Sequence, residues 1–427
     1  MYLGNGDAVT RNYYHESLID KIIDPGLILV PGTSDIYELD LALGESMSLP
    51  REEIVHRGAM FWKVDGKETN HYRICSVSPL QVDPRSTMRR KTFFLQNLFK
   101  TGYATHGLFP YRGKFHPQLI KAVMNIIKIP NGGLVLDGMT GSGTVNVEAS
   151  IMGINSVGID SSPFCVLMSR VKTFLLSVDP DKLEIYIQDI PALFRKYSKE
   201  ESRRTLFDFE RARGSDGKLT IEDQLNDVFL LAYLDAMGYA RRRVNQTAEK
   251  LFPVVLDRYI QAIRNFADAR DKIGLELGKA QISVGDARDL KLKDNSVDGI
   301  VVSPPYSFAI DYVDNDSPQL EYLGIDTEKL KKDMIGLVGK TKQEKVKKYF
   351  EDMKKVIEEF SRVLKPGKCL VVVVGSNEIQ TGGVRHEIEF EKCASDSGLT
   401  LFKKMVRPIT GIGNSMRDEY VLFWTKD

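Results

Sequence analysis

Cysteine is scarce in this chain. There are four in 427 residues (Cys75, Cys165, Cys369 and Cys393) with no Cys-x-x-Cys pair. That spacing supports neither a zinc site nor a disulfide framework, and it suits reduced thiols in cytoplasm. Histidine is also rare, at six residues. Neither His106 nor His116 has a Cys or His partner at ligand spacing, so no metal is expected, and both are read as loop-packing residues. No apolar run approaches the ~18 residues that span a bilayer. The first residues lack a basic region followed by an apolar stretch, so neither membrane nor export is expected. Excess charge is missing too: 59 Lys and Arg face 58 Asp and Glu, a net charge of +1. Near-neutrality confines any phosphate contact to a local basic patch. Internal repeats and low-complexity tracts are absent.

The length gives a prior of two to three domains. Residues 1–100 hold short strand-like pieces (Gly26 to Val30, Phe61 to Val64, Tyr72 to Val77) and a basic cluster, Arg85, Arg89, Arg90 and Lys91. They read as a small N-terminal accessory domain. Residues 101–427 alternate strand and helix patterns, which predicts an α/β fold with a mostly parallel sheet. Residues 174–279 are far too long for an ordinary connection and read as a helical insertion. Val356 to Leu364 reads as an amphipathic helix, Lys365-Pro366-Gly367-Lys368 as a turn, Cys369 to Val374 as a buried strand and Glu419 to Trp424 as a last strand.

Three acids end apolar runs in this core. Leu134-Val135-Leu136-Asp137 enters the turn Gly138-Met139-Thr140-Gly141-Ser142-Gly143-Thr144 and then a helix. Glycines there let backbone approach a ligand, and a helix N-terminus offers free N–H groups to a carboxylate. The spacing Gly138-x-x-Gly141-x-Gly143 is not the G-x-G-x-x-G of dinucleotide sites, so a diphosphate is the weaker reading. Gly158-Ile159-Asp160 follows, with Asp160 at 23 positions (160 − 137) beyond Asp137. An acid about 20 residues on is where a ribose diol is gripped in such architectures. A helix cap before Pro163 explains Asp160 equally well. Val284-Gly285-Asp286-Ala287 is the third strand-and-turn, and a plain surface turn is its competing reading.

The run Gly299-Ile300-Val301-Val302 leads into Ser303-Pro304-Pro305-Tyr306. Two prolines fix φ and remove two N–H donors while keeping their carbonyls. A hydroxyl, stiff carbonyls and an aromatic ring then converge at a strand end, which suits a planar amine. Taken alone, the turn also reads as a simple strand terminator. Together with the glycine turn and the ordered acids, it resembles the amino-methyltransferases that modify cytosine N4 or adenine N6 in nucleic acids. Their signature is (Ser/Asp/Asn)-Pro-Pro-aromatic, with Ser commonest among the cytosine-N4 enzymes. The glycine turn is similar to that family's Asp-Pro-Phe-x-Gly-Ser-Gly-Thr loop, with Gly138-Met139 in place of Pro-Phe.

The resemblance implies a Rossmann-like methyltransferase fold, helices on both sheet faces, and S-adenosylmethionine as cofactor. It implies that Asp137, Gly138, Gly141, Ser142, Gly143 and Thr144 hold the methionine end. Phe115, in the preceding segment Thr105 to Pro117, packs beside that tail. Asp160 takes the ribose, and Asp286 and Ala287 the adenine. Ser303 Oγ and the Pro304 carbonyl accept the amine hydrogens of the target, Pro305 stiffens the corner, and Tyr306 stacks on the base. Asp311 and Tyr312 border the base pocket, core packing being the alternative for Tyr312. Arg241, Arg242 and Arg243, and the lysines from Lys329 to Lys348, are the basic patches for phosphate, a solvated helix face being the alternative for each. The expected partner is a nucleic acid, DNA or structured RNA, with DNA slightly favoured. Adenine-N6 methylation, a cofactor-retaining binding module and a small-molecule amine methyltransferase remain open.

Overall fold

A computed structural model describes residues 21–33, 35–77, 102–111, 115–199, 219–242, 246–305, 311–376, 383–408 and 418–427. Its centre is a seven-stranded sheet. The strands are β4 (Leu134–Asp137), β5 (Asn155–Asp160), β6 (Ala280–Val284), β7 (Val297–Val302), β8 (Leu364–Ser376), β9 (Leu399–Pro408) and β10 (Asp418–Lys426), in the spatial order β6-β5-β4-β7-β8-β10-β9. The pairs β4–β5, β5–β6, β4–β7 and β7–β8 are parallel, and β10 runs antiparallel to both neighbours. The strand order reverses between β4 and β7, so crossovers leave in opposite directions there. Open α/β sheets bind ligands at that crevice, outside the carboxyl ends of the strands. Asp137, Asp160, Asp286 and Ser303 all lie at or just beyond that carboxyl edge. This is the predicted Rossmann-like architecture.

Period-two alternation sends strand residues to two cores. Val135, Val301, Val371, Val373, Val421 and Phe423 face α4 (Pro117–Ile126). Leu136, Ile300, Val302, Leu370, Leu422 and Trp424 face α13 (Lys342–Val363) and α14 (His386–Asp396). Each fully buried aliphatic side chain contributes about 1.5–3 kcal/mol, so both layers are strongly held.

The N-terminal segment contributes β1 (Leu27–Leu29), α1 (Ile36–Ser48), α2 (Arg51–Arg57), β2 (Phe61–Val64), β3 (Lys67–Glu68) and α3 (Asn70–Ser76). It shares the α4 core through Leu41, Ile54 and Phe61. A buried polar knot fastens it. Glu45 accepts from the Ala59 and Met60 amides and from Asn125 Nδ2, while Arg57 donates to Asn125 Oδ1 and the Ile129 carbonyl. Tyr72 to Val77, expected as strand, is helical through Ser76. Thr69 caps the helix by accepting from the Tyr72 amide, and the buried set Asn70, His71, Ile74 and Cys75 repeats at helical spacing. The cluster Arg85, Arg89, Arg90 and Lys91 lies outside the described residues.

The long connection after β5 is helical as expected. It holds α6 (Pro163–Phe174), α7 (Pro180–Ile185), α8 (Ile190–Ser198), α9 (Ile221–Arg242) and α10 (Ala248–Ile273). Its core takes in Phe164 of α6, Leu231 of α9, Phe252 of α10 and Ile282 of β6. Leu320 and Leu323 join the same core, at the end of α11 (Tyr312–Tyr322), which follows the signature turn. The Tyr322 hydroxyl donates to the Tyr197 carbonyl at 2.5 Å. The insertion thus fixes α11 in place. Thr341 opens α13 with a reciprocal cap to Glu344, so the helix begins at Lys342, well ahead of the expected start at Val356.

Lys365-Pro366-Gly367-Lys368 is not a turn between elements but a bulge inside β8. Val297 pairs with Leu364 and Gly299 with Cys369, leaving the four residues opposite Asp298 alone. Gly367 takes φ +70° there. Lys365 Nζ donates to Asp298 Oδ1 at 2.6 Å, and Asp298 Oδ2 accepts the Leu134 amide at 2.9 Å, so one carboxylate ties the bulge to β4.

Candidate active site

The glycine turn is built around positions where a side chain will not fit. Gly141 has φ +48° and Gly143 φ +79°. A Cβ on Gly143, which caps α5 (Thr144–Ile151), would lie 2.9 Å from Ser169 Cα. The Gly141 amide donates to Asp160 Oδ2 at 2.8 Å and the Ser162 amide to Asp160 Oδ1 at 2.9 Å. The cap of α6 is Ser162 itself, so Asp160 does not cap that helix but clamps two loops at the β5 end. Asp137 is 1% exposed and accepts the Met139 amide at 3.1 Å.

Where the related loop has Pro-Phe, this chain has Gly138-Met139, and the packing explains it. A Cβ at Gly138 would lie 2.6 Å from the Phe360 ring of α13. Phe360, fully buried, occupies the volume that a proline would need.

One cleft joins these parts. It spans about 990 Å³ with its open mouth included, and its walls include Gly138, Gly141, Ser142, Thr144, Asp160, Asp286, Ala287, Ser303, Pro304 and Pro305. Phe115 and Tyr312 also line it. The strand ends thus bring the glycine turn and the proline corner to a single space. Tyr306 lies outside the described residues. Asp137 and Gly143 are not on the cleft surface; they support the turn from behind. Asp311 caps α11 by accepting the Asp314 amide, and it is not on the wall either. Arg241 is exposed at the end of α9 and away from the wall, while the Arg242 side chain and Arg243 lie outside the described residues. His106 pairs with the buried Glu148 at 2.6 Å behind α5, a packing role.

Tyr111, Cys165, Asp316 and Arg288 are among the residues that line the cleft without having been expected there. Tyr111 sits beside Gly141, its ring 3.9 Å from where a Cβ on that glycine would lie, and its hydroxyl is 3.5 Å from Cys165 Sγ of α6. Asp316 enters from α11. Arg288 donates from Nε and Nη2 to Asp286 and from Nη2 to the Asp333 carbonyl at 2.8 Å. Tyr111 and Arg288 fall inside segments already singled out; Asp316 carries no sequence signal.

The electrostatics are unusual. Burial pushes the Asp137 carboxyl up to about 8, opposed by the Met139 amide and raised further by Asp160. Burial likewise lifts Asp160 to about 6, against the amides of Ser162 and Gly141. Asp316 rises to about 7 through burial and the Asp160 charge, with Tyr111 opposing. Carboxyls normally titrate near 4, so the cleft disfavours their charge until something positive enters. Asp286 differs: burial works to raise it, but Arg288 holds it below the usual range. Among the described residues no group of three or more His, Cys, Asp or Glu is placed to hold a metal.

Two family profiles match. A methyltransferase domain of the RMKL-like type covers residues 108–320, and a DNA methylase profile of the N6/N4 methyltransferase type covers residues 297–427. Residues 108–427 are thus similar to methyltransferase domains, and residues 297–427 to those of the N6/N4 type. The chain's cofactor is S-adenosylmethionine. The chain is 41% identical over 98 residues to the type II methyltransferase M.MjaII of Methanocaldococcus jannaschii, which is 22% of this chain and 17% of that one. It is 22% identical over 298 residues to the type II methyltransferase M.BsoBI of Geobacillus stearothermophilus, 58% of each. It thus spans less than two thirds of either relative. A solved S-adenosylmethionine-dependent methyltransferase from Methanosarcina mazei matches at 12% identity and a TM-score of 0.33, over 70% of this chain and 93% of that one. The cleft's donor set fits that cofactor. The walls offer the carboxyls of Asp160 and Asp316, without a lysine or arginine acting on either among the described residues, and a turn whose glycines leave room for a ligand.

Proposed function

We propose that this chain transfers a methyl group from S-adenosylmethionine to the exocyclic N4 amine of cytosine in nucleic acid, DNA being slightly favoured over structured RNA. One observation carries the reading: Ser303, Pro304 and Pro305 share a cleft with Gly141, Ser142 and Thr144. The glycine turn, with Asp137 behind it and Phe115 beside it, would hold the methionine end. Asp160 would take the ribose hydroxyls, and Asp286 with the Ala287 amide the adenine. Bound there, S-adenosylmethionine supplies an electrophilic methyl group on a sulfonium.

The chain's own work is orientation. A cytosine amine is a poor nucleophile because its lone pair is delocalised into the ring. Ser303 Oγ and the Pro304 carbonyl accept its two hydrogens, which favours a pyramidal nitrogen with a directed lone pair. Positioning of this kind supplies up to ~7–11 kcal/mol in well-oriented reactions. The same fixed acceptors stabilise the amine as it becomes cationic, and the proton then leaves through Ser303 or solvent. Tyr306 stacks on the base. A base in a duplex does not reach this corner, so it is flipped out or already unpaired. Asp311, Tyr312 and Arg241 to Arg243 belong to the proposed substrate side, and the N-terminal segment to target recognition. A cytoplasmic location belongs to the same proposal, resting on four cysteines without a disulfide.

The test is transfer of labelled methyl to DNA, rRNA and tRNA in parallel, followed by nucleoside identification. N4-methylcytosine is expected. N6-methyladenine would overturn the base assignment. Cofactor binding without transfer to any of the three would overturn the enzyme reading in favour of a binding module, and transfer only to small amines would overturn the nucleic-acid reading.

A further inference from the structure

We propose that Asp316 reads the positive charge of the methyl donor, so that the cleft retains charged S-adenosylmethionine and releases its neutral, demethylated product. The inference rests on the cleft being the S-adenosylmethionine site. It concerns a residue that lies in none of the recognised motifs.

The placement is rigid. α11 is capped by Asp311, seated in the insertion core by Leu320 and Leu323, and tied to α8 by the hydroxyl of Tyr322. Val313 and Leu320 line the cleft from the same helix, so Asp316 sits between two apolar wall residues. Among the described residues the groups that face it are Asp160 from the end of β5, Tyr111 from the segment before α4 and Cys165 from α6. None carries a positive charge. Asp160 accepts backbone amides at both oxygens, and Asp137 is off the cleft surface. Asp316 has the Tyr111 hydroxyl as its neutral partner. Of the two raised acids on the cleft wall, Asp160 and Asp316, it is the one whose charge the described protein groups satisfy less.

A buried carboxylate with no cation beside it is costly, and it relaxes by taking up a proton. A sulfonium cannot relieve that cost by losing a proton, because its charge is permanent. It therefore offers Asp316 a fixed counter-charge in a space of low dielectric. After methyl transfer the sulfur is a neutral thioether and the counter-charge is gone. The α-ammonium, carboxylate, ribose and adenine are common to both forms, so the difference in affinity isolates the sulfur.

The experiment measures calorimetric Kd values of wild type and Asp316→Asn for S-adenosylmethionine and S-adenosylhomocysteine. Sinefungin, which carries an amine on the carbon replacing sulfur, is the third probe. Unliganded melting of both proteins accompanies it, and Asp316→Ser replaces the asparagine variant if that one does not fold. The expected result is a loss of at least about tenfold for S-adenosylmethionine and sinefungin, with S-adenosylhomocysteine within about twofold of wild type. An equal loss for all three ligands, or none for any, overturns the proposal, because Asp316 then holds a shared group or none. Failure of wild type to bind any of the three overturns the cofactor reading itself.

Discussion

The Gly141 amide donates to Asp160 Oδ2 at 2.8 Å, which ties the glycine turn after β4 to the acid that ends β5. The second oxygen holds the Ser162 amide. Asp160 is therefore structural and ligand-facing at once. Asp160→Ala leaves two amides without their acceptor, and it costs about 1–3 kcal/mol of stability for a buried donor left unsatisfied. Urea unfolding and calorimetry are expected to show both this loss and a weakening of S-adenosylmethionine binding. Native stability in the variant would contradict the clamp.

Gly138 and Phe360 form a second coupled pair. Gly138→Ala places a methyl group within 2.6 Å of the Phe360 ring, and overpacking of this kind costs about 1–3 kcal/mol. Phe360→Leu in the same chain relieves the contact, so the double variant is expected to be more stable than the sum of the single losses. A double-mutant cycle by denaturant unfolding reads the coupling directly; additive losses would rule the contact out.

These pairs mark how far the sequence could be read. Asp137, Asp160, Asp286 and Ser303 were legible because each ends an apolar run, and strand ends collect on one sheet edge in a doubly wound fold. Asp316, Tyr111 and Arg288 were not, because helices and loops bring them to the cleft from positions with no spacing rule. Tyr72 to Val77 misled because aromatic and β-branched residues favour strands, while Thr69 upstream capped a helix. Lys365 to Lys368 misled because a Pro-Gly turn and a bulge held by Asp298 share one composition.

Ser303 is the acceptor on which the proposed chemistry turns. Ser303→Ala removes its hydroxyl and leaves the glycine turn and Asp160 untouched. Loss of a fixed transition-state hydrogen-bond partner lowers kcat by about 100-fold. Single-turnover methyl transfer is expected to fall by that order, with S-adenosylmethionine Kd unchanged. A variant that instead loses cofactor affinity and keeps its rate at saturation would remove Ser303 from the proposed chemistry.

The raised carboxyls make stability depend on pH with a definite sign. Asp137 at about 8, Asp316 at about 7 and Asp160 at about 6 all titrate above their unfolded values near 4. The folded protein binds more protons than the unfolded chain in that window. These groups therefore stabilise fully below about pH 4, and their contribution is lost as pH rises through 6 to 8. Melting temperature of the unliganded protein is expected to fall across that range. Buried Glu45 is raised as well, so the part of the slope removed by Asp137→Asn is the quantity to compare. Saturating S-adenosylmethionine is expected to flatten the slope, because its positive charge favours the ionised cleft. A slope of opposite sign, or one unchanged in the variant, would contradict the assignment.

Under the proposed function, contact with nucleic acid is expected at the rim of the cleft. α12 (Thr327–Asp333) turns Leu330 into the cleft wall, and Met334 and Ile335 follow it there. Lys329 and Lys332, on the same short helix, are exposed, whereas Lys331 is engaged by Asp314 at 2.6 Å. Exposed lysines beside the cleft proposed to bind a base suit phosphates on either side of an extruded nucleotide. Each phosphate neutralised contributes about 0.9 to the slope of log K against log salt on duplex DNA. Replacing Lys329 and Lys332 together by Ala is therefore expected to weaken DNA binding for all sequences alike. The slope should fall by about 2, with S-adenosylmethionine affinity unchanged. Lys331→Ala, which removes a lysine already paired, is expected to change the slope by less than either. Fluorescence anisotropy over a salt series reads all three proteins, and an unchanged slope in the double variant would move the phosphate contacts off this helix.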